Sequence, residues 1–197
     1  KAPYLPQTGK LTQKNAVRET MHRLLTCVYQ ASDNSGSVTR KAARAVAEGV
    51  GAEFHGLNIA PVVRRYIGMI EKSVGRKLTW KKDDVVLQNI QARVRSPSVW
   101  MLANMKNALL VSTSNRSEAA VGYATMDGDT SGGLSPIAGI DKAFLRHWLR
   151  WMEKTGPLGV HAFPFLRKVN GQAPTAELRP PGLDELAQKI ERRGIPT

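Results

Sequence analysis

A threonine, a glutamate, an aspartate and a lysine punctuate one stretch of this chain, LVSTSNRSEAAVGYATMDGDTSGGLSPIAGIDK, which runs from Leu110 to Lys142. Their place after a buried strand is one where a ligand could bind. Lys142 opens a predicted helix; it reads as an ordinary solvated lysine, though a cation there is electrostatically misplaced unless an anion sits nearby. Thr113 to Ser117 form a polar loop after the apolar run Ala108 to Ser112, a run of the kind that makes a fully covered parallel strand. In open α/β sheets ligands bind just beyond the carboxyl ends of such strands. Taken alone, Glu118 reads as an acid complementing the positive end of a helix dipole. Thr113 and Thr175 read as turn residues bonding their own backbone, and Gly128-Asp129-Thr130 as an ordinary turn. Arg93 and Arg95, about 200° apart on a helix, cannot share one role.

Alternating elements must position these groups. Gln13 to Arg23 is predicted as a helix, Leu24 to Tyr29 as a strand, and Val38 to Val50 as an amphipathic helix with Ala43, Val46, Ala47 and Val50 on one stripe. Ser37 is its expected N-cap and Gly51 its stop. Ala52 to Ile59 reads as a second strand, and Pro61 suits the first turn of a helix reaching about Glu71. Polar Lys72 to Asp84 reads as a loop. A longer helix from about Val85 to Lys106 follows, with a break or kink expected near Ser96 because of Pro97. A last helix, Asp141 to Thr155, carries Leu145, Trp148, Leu149 and Met152 on its buried stripe and ends at Gly156-Pro157. Strands and helices alternating at this spacing imply right-handed crossovers and an α/β fold, a three-layer parallel sheet with helices on both faces.

Composition narrows the functional classes. With 197 residues, 42% of them hydrophobic, the chain can bury a substantial core. Its net charge of +13 is of the kind that often marks nucleic-acid partners. Yet the basic residues are scattered, with only short clusters such as Arg64-Arg65, Lys81-Lys82 and Arg192-Arg193, and they are not interleaved with aromatics in any recognised binding motif. They read as solvated surface, and nucleic acid is not the expected partner. Cys27 is the single cysteine, which excludes an intrachain disulfide and suggests a buried strand thiol. His22, His55, His147 and His161 show no metal-ligand spacing. No apolar run approaches transmembrane length and no signal peptide is read before the first helix, so the expected compartment is the cytoplasm.

Five pieces, QNIQARVR (Gln88 to Arg95), VSTSNRSE (Val111 to Glu118), GYATMDGD (Gly122 to Asp129), IDK (Ile140 to Lys142) and APTAELRP (Ala173 to Pro180), together resemble the synthetase domain of NAD synthetases, in the family's order. The resemblance implies an adenine nucleotide alpha hydrolase-like fold and ATP-dependent amidation of deamido-NAD to NAD through an adenylate. Ammonia, free or from glutamine, is the nitrogen source, and AMP and pyrophosphate are released. It further implies that Thr113, Lys142 and Thr175 contact ATP, that Glu118 ligates magnesium, that Arg93 and Asp129 contact deamido-NAD, and that no side chain acts as nucleophile. A homodimer is expected, with Trp151 lying off the core stripe of its helix. Part of the positive charge would serve the phosphates of the two nucleotides.

Some family features are absent. Some relatives place a lysine where Met126 stands and a further aspartate near Gly133. The family's SGGxDS pyrophosphate loop is expected before Leu24 and is not there; Ser131-Gly132-Gly133-Leu134-Ser135 resembles it superficially, but Ser135 replaces the aspartate. Gly9-Lys10-Leu11-Thr12 lacks the features of a Walker loop. An acidic stretch after Pro180 and a glutaminase domain have no counterpart either. The expectation is therefore a single NAD synthase domain, residues 1–197, that is truncated or lacks its mobile loops. A related ATP pyrophosphatase acting on another substrate such as tRNA, and a catalytically inactive nucleotide-binding or assembly module, are the alternatives.

Overall fold

The computed structural model describes residues 13–172, 177–180 and 182–183. Its elements run α1 (Gln13–Leu24), β1 (Thr26–Ala31), α2 (Ser37–Val50), β2 (Glu53–Asn58), α3 (Ala60–Val74), α4 (Trp80–Lys106), α5 (Arg116–Ala120), α6 (Lys142–Lys154), a 3-10 turn (Pro164–Leu166) and α7 (Arg167–Asn170). The chain divides into two compact units. Of the described residues, one unit takes 13–30, 36–57 and 146–172, and the other the rest.

In the first unit β1 and β2 pair in parallel, with Glu53 N–H donating to the Leu25 carbonyl at 3.0 Å. The strand expected from Leu24 begins at Thr26, because Leu24 still closes α1. Cys27 lies on β1 half-buried, and burial pushes its thiol pKa up. Helix α2 starts one residue earlier than predicted, with extended Gly36 rather than Ser37 in the capping position. It stops where expected: Gly51 is left-handed at φ 82°, and the bonds Gly51 N to Glu48 O (3.2 Å) and Ala52 N to Ala47 O (2.8 Å) make a Schellman close. Ala42 and Ala47 are its buried residues. Asn170 ties α7 to α6 through the Leu149 carbonyl (3.1 Å) and the Glu153 carboxylate (2.8 Å). Trp148 is not buried as predicted: it is 42% exposed, close to Trp151 at 43%, and the covered stripe of α6 falls on Leu149 and Met152.

The second unit is built around α3 packed on α4, with Ile59, Val63 and Val94 buried together and Ile67 and Ile90 against them. Most of the polar segment from Lys72 to Asp84 is helical rather than a loop. Helix α3 continues to Val74 and α4 begins at Trp80, leaving a short connection after Gly75. Asp83 makes that tight joint possible, accepting two bonds from the Arg76 guanidinium (2.7 and 2.9 Å) and one from the Thr79 amide (2.9 Å). Those donors hold its pKa down at about 2. Polarity misleads at this point because Lys81 and Lys82 sit on the solvent side of a first helical turn.

Nor does Pro97 end or break α4. The helix passes through it, and the residue with non-helical backbone angles is Asp83 (φ −124°, ψ 27°). The predicted covered strand from Ala108 to Ser112 is an isolated parallel bridge, Val111 to Leu134, with Leu109 64% and Val111 44% exposed. No described helix is long and apolar enough to cross a membrane.

Candidate functional site

Helix α5 spans five residues, too few to persist on local propensity. Asn115 and Glu118 close a capping box around its first turn. The Asn115 side-chain oxygen accepts from Glu118 N (3.2 Å), and Glu118 Oε2 accepts from Asn115 N (3.1 Å) and Ser114 Oγ (3.2 Å). The remaining carboxylate oxygen, Oε1, accepts from Lys142 Nζ at 3.4 Å. Two residues 24 apart in sequence are thus brought into contact.

Two neighbours of Glu118 hold the start of α6. Ser117 Oγ accepts the Lys142 amide (3.0 Å), and Arg116 donates its own amide to the Ile140 carbonyl (3.0 Å) and its guanidinium to Asp141 Oδ2 (3.3 Å). Asp141 Oδ1 meanwhile accepts Phe144 N at 2.7 Å, capping α6. Lys142 therefore sits at the positive end of a helix, half-exposed, with its ammonium against the Glu118 carboxylate. Thr113 lies exposed in the same loop, immediately before Ser114.

A second assembly places Arg93 and Asp129. The segment from Tyr123 to Ser131 runs along one stripe of α4. Tyr123 hydroxyl donates to Gln88 Oε1 (2.9 Å), Thr125 Oγ1 to Asn89 Oδ1 (3.1 Å) and Arg93 Nε to the Met126 carbonyl (3.2 Å). Ser131 Oγ meets both Ser96 Oγ (2.7 Å) and Trp100 Nε1 (2.8 Å). At the middle of the stripe Gly128 lies against the helix backbone, so that a Cβ there would stand 2.8 Å from the Ala92 carbonyl carbon. Asp129 Oδ2 accepts Thr125 N (2.9 Å) and its carbonyl accepts from Ser112 Oγ (2.8 Å), leaving the residue exposed. Arg93 on α4 is thus tied to the loop that carries Asp129, and buried Ser112 links that loop to Thr113.

A family model described as NAD synthase matches residues 7–192, a range that includes every one of these groups. The chain belongs to the NAD synthase family. Among curated relatives, the glutamine-dependent NAD(+) synthetase of Aquifex aeolicus (strain VF5) is 35% identical over 158 residues, 80% of this chain and 26% of that protein. The crystal structure of a glutamine-dependent NAD(+) synthetase from Cytophaga hutchinsonii superposes with a TM-score of 0.75 at 45% identity, covering 93% of this chain and 29% of that one. An NH3-dependent NAD synthetase from Campylobacter jejuni, in complex with the nitrate ion, shares the fold at a TM-score of 0.60 and 20% identity, over 89% of this chain and 66% of that one. This NAD synthase chain therefore spans about a quarter of the length of the curated relatives it matches. Its fold is the α/β, adenine nucleotide alpha hydrolase-like one expected from the resemblance.

Thr175 lies outside the described residues, but the NAD synthase segment that follows it is anchored. The Leu178 carbonyl accepts from buried Gln91 Nε2 (2.6 Å) and from Asn34 Nδ2 (2.9 Å). Arg179 makes a two-pronged pair with Asp84 (3.0 and 2.7 Å), which lowers the pKa of that carboxyl. Sequence reasoning missed Gln88, Asn89, Gln91, Ser112, Asn115, Arg116 and Asp141. For two of them a signal existed: Asn115 three residues before Glu118 is a capping-box spacing, and Asp141 stands directly before the helical pattern of α6.

Proposed function

We propose that the chain carries the nucleotide-handling centre of an NAD synthetase, in which ATP drives amidation of deamido-NAD to NAD. The observation that carries this reading is the contact of Glu118 with Lys142 at the exposed start of α6, in a chain of the NAD synthase family. The nicotinate carboxylate would attack the α-phosphorus of ATP, forming an adenylate as pyrophosphate leaves. Ammonia would then add to the acyl carbon, AMP would depart with the acyl C–O bond pair, and the nitrogen would lose a proton. Relatives named for glutamine and for NH3 occur, so either nitrogen source suits the family.

Such a reaction asks the protein for position and charge rather than for a nucleophile. Lys142, Thr113 and Thr175 would bind the ATP phosphates and nucleotide, while Arg93 on α4 and Asp129 on the loop beside it would orient deamido-NAD. Among the described residues no group of three or more His, Cys, Asp or Glu side chains could hold a metal alone. The single carboxylate of Glu118 suits magnesium, which commonly takes one or two carboxylates and completes its shell with phosphate and water. Glu118 would hold it through Oε1, which already faces a cation, and the ion would neutralise phosphate charge. A homodimer and a cytoplasmic location complete the proposal; the exposed Trp148 and Trp151 support the first.

Calorimetric titration with Mg-ATP tests the reading. Lys142→Ala should weaken binding by about 1–3 kcal/mol, the scale of a lost charge-assisted contact. An unchanged dissociation constant would leave Lys142 an ordinary surface residue and remove the main support.

A further inference from the structure

Three successive residues of α5 grip two successive residues at the start of α6, and one of those grips has no place in the chemistry described so far. Ser117 holds the Lys142 amide and Glu118 its ammonium, but Arg116 reaches past Lys142 to Asp141. The Asp141 carboxylate is divided between two tasks. Its Oδ1 caps α6 through Phe144 N (2.7 Å) and its Oδ2 accepts from Arg116 (3.3 Å). A carboxylate fixed at both oxygens has one orientation, and the first turn of α6, from which Lys142 projects, takes its placement from that orientation.

We propose that Arg116 is a positioning residue for ATP binding, acting through Asp141 to set where the Lys142 ammonium stands; the inference rests on the reading of Lys142 as a phosphate contact. Arg116 itself need touch no substrate. Its side chain is 62% exposed and that of Asp141 39%, and an ion pair so open to water adds little to folding stability. Its loss therefore leaves the fold in place while loosening the lysine by a fraction of an ångström, enough to weaken a charge-assisted contact to phosphate.

Calorimetric titration of the chain with Mg-ATP, with thermal melts as a check on folding, tests this in two backgrounds. With Lys142 present, Arg116→Met should weaken ATP binding roughly two- to fivefold, and Arg116→Lys should restore most of it. Asp141→Asn keeps a good cap but loses the ion pair, so it should resemble Arg116→Met. In a Lys142→Met background, Arg116→Met should cause no further loss, because the residue it positions has gone. An equal loss in both backgrounds would overturn the proposal, since Arg116 would then be a direct contact or a general structural support. Full-strength binding by Arg116→Met would overturn it as well. If the unmodified chain bound no ATP, or Lys142→Met bound it normally, the underlying reading of Lys142 would fall first and this inference with it.

Discussion

Replacing Gly128 by alanine adds one methyl group at the tightest point between the Asp129 loop and α4. The new Cβ would lie 2.8 Å from the Ala92 carbonyl carbon, 3.0 Å from its oxygen and 3.1 Å from its Cβ, where ordinary contact begins near 3.4 Å. The methyl therefore intrudes by up to 3.4 − 2.8 = 0.6 Å. No flexible side chain can yield, because the atoms it meets are the backbone and the rigid Cβ of Ala92, a helix residue 1% exposed. Gly128 has no positive φ, so backbone strain adds nothing and the penalty is steric. Overpacking of this kind costs about 1–3 kcal/mol. The loop must back away, lengthening the Tyr123–Gln88, Thr125–Asn89 and Arg93–Met126 bonds, each worth about 0.5–1.5 kcal/mol when made and partly replaced by water when lost. Guanidinium denaturation should accordingly show a loss of about 1–3 kcal/mol for Gly128→Ala, and deamido-NAD should bind roughly tenfold more weakly. Gly139→Ala is the control, since nothing lies within 4 Å of its added Cβ. Wild-type stability together with wild-type deamido-NAD affinity in Gly128→Ala would refute the idea that this close approach sets the loop.

Gly68, inside α3 with no atom within 4 Å of an added methyl, should stabilise the chain by about 0.5–1 kcal/mol when changed to alanine, read as a raised denaturation midpoint. Asp83 gives a pH signature. Its pKa falls from 3.8 unfolded to about 2 folded, so the unfolded chain binds more protons between those values and stability should drop as pH falls from about 4 to 2. Asp83→Asn should be less stable at neutral pH and lose less on acidification than the unmodified chain; parallel acid titrations of the two would contradict the assignment. For the proposed homodimer, sedimentation should show a concentration-dependent mass that Trp151→Ser shifts toward monomer, and a constant monomer mass would count against it.

Punctuating residues were legible in the sequence, because their signals are local. Gly51 had to end α2, Pro61 had to sit in a first turn, and the lysine opening α6 was conspicuous through the dipole it opposes. What escaped depends on partners distant in sequence. Nothing near Glu118 announces Lys142, and a capping box looks the same whether or not its second carboxylate oxygen meets a cation. Ala108 to Ser112 reads as a covered strand from its own residues, yet coverage is supplied by neighbours, and here Leu109 and Val111 remain open. Trp148 shows the same limit: helical periodicity places it beside Leu149, but not on the covered side.

The passage of α4 through Pro97 follows from what its faces hold. Proline inside a helix costs about 3 kcal/mol, because it removes an amide and crowds the preceding turn. At about 100° per residue, the described contacts of α4 fall into three sectors. Leu87, Ile90 and Val94 face the apolar side, with Ile90 and Val94 packed in the α3 core. Asp84 and Gln91 hold Arg179 and the Leu178 carbonyl, next to the segment that carries Thr175. Gln88, Asn89, Ala92, Arg93, Ser96 and Trp100 hold the Asp129 loop, and this last stripe has contacts on both sides of Pro97. Ser96 and Trp100 share a single partner, Ser131 Oγ, so a break at Pro97 would have to part them. Several bonds of about 0.5–1.5 kcal/mol each are enough to oppose the proline penalty. One continuous helix then holds the Asp129 loop and the Leu178-Arg179 segment in fixed relation, which the proposed adenylation between two bound nucleotides would require.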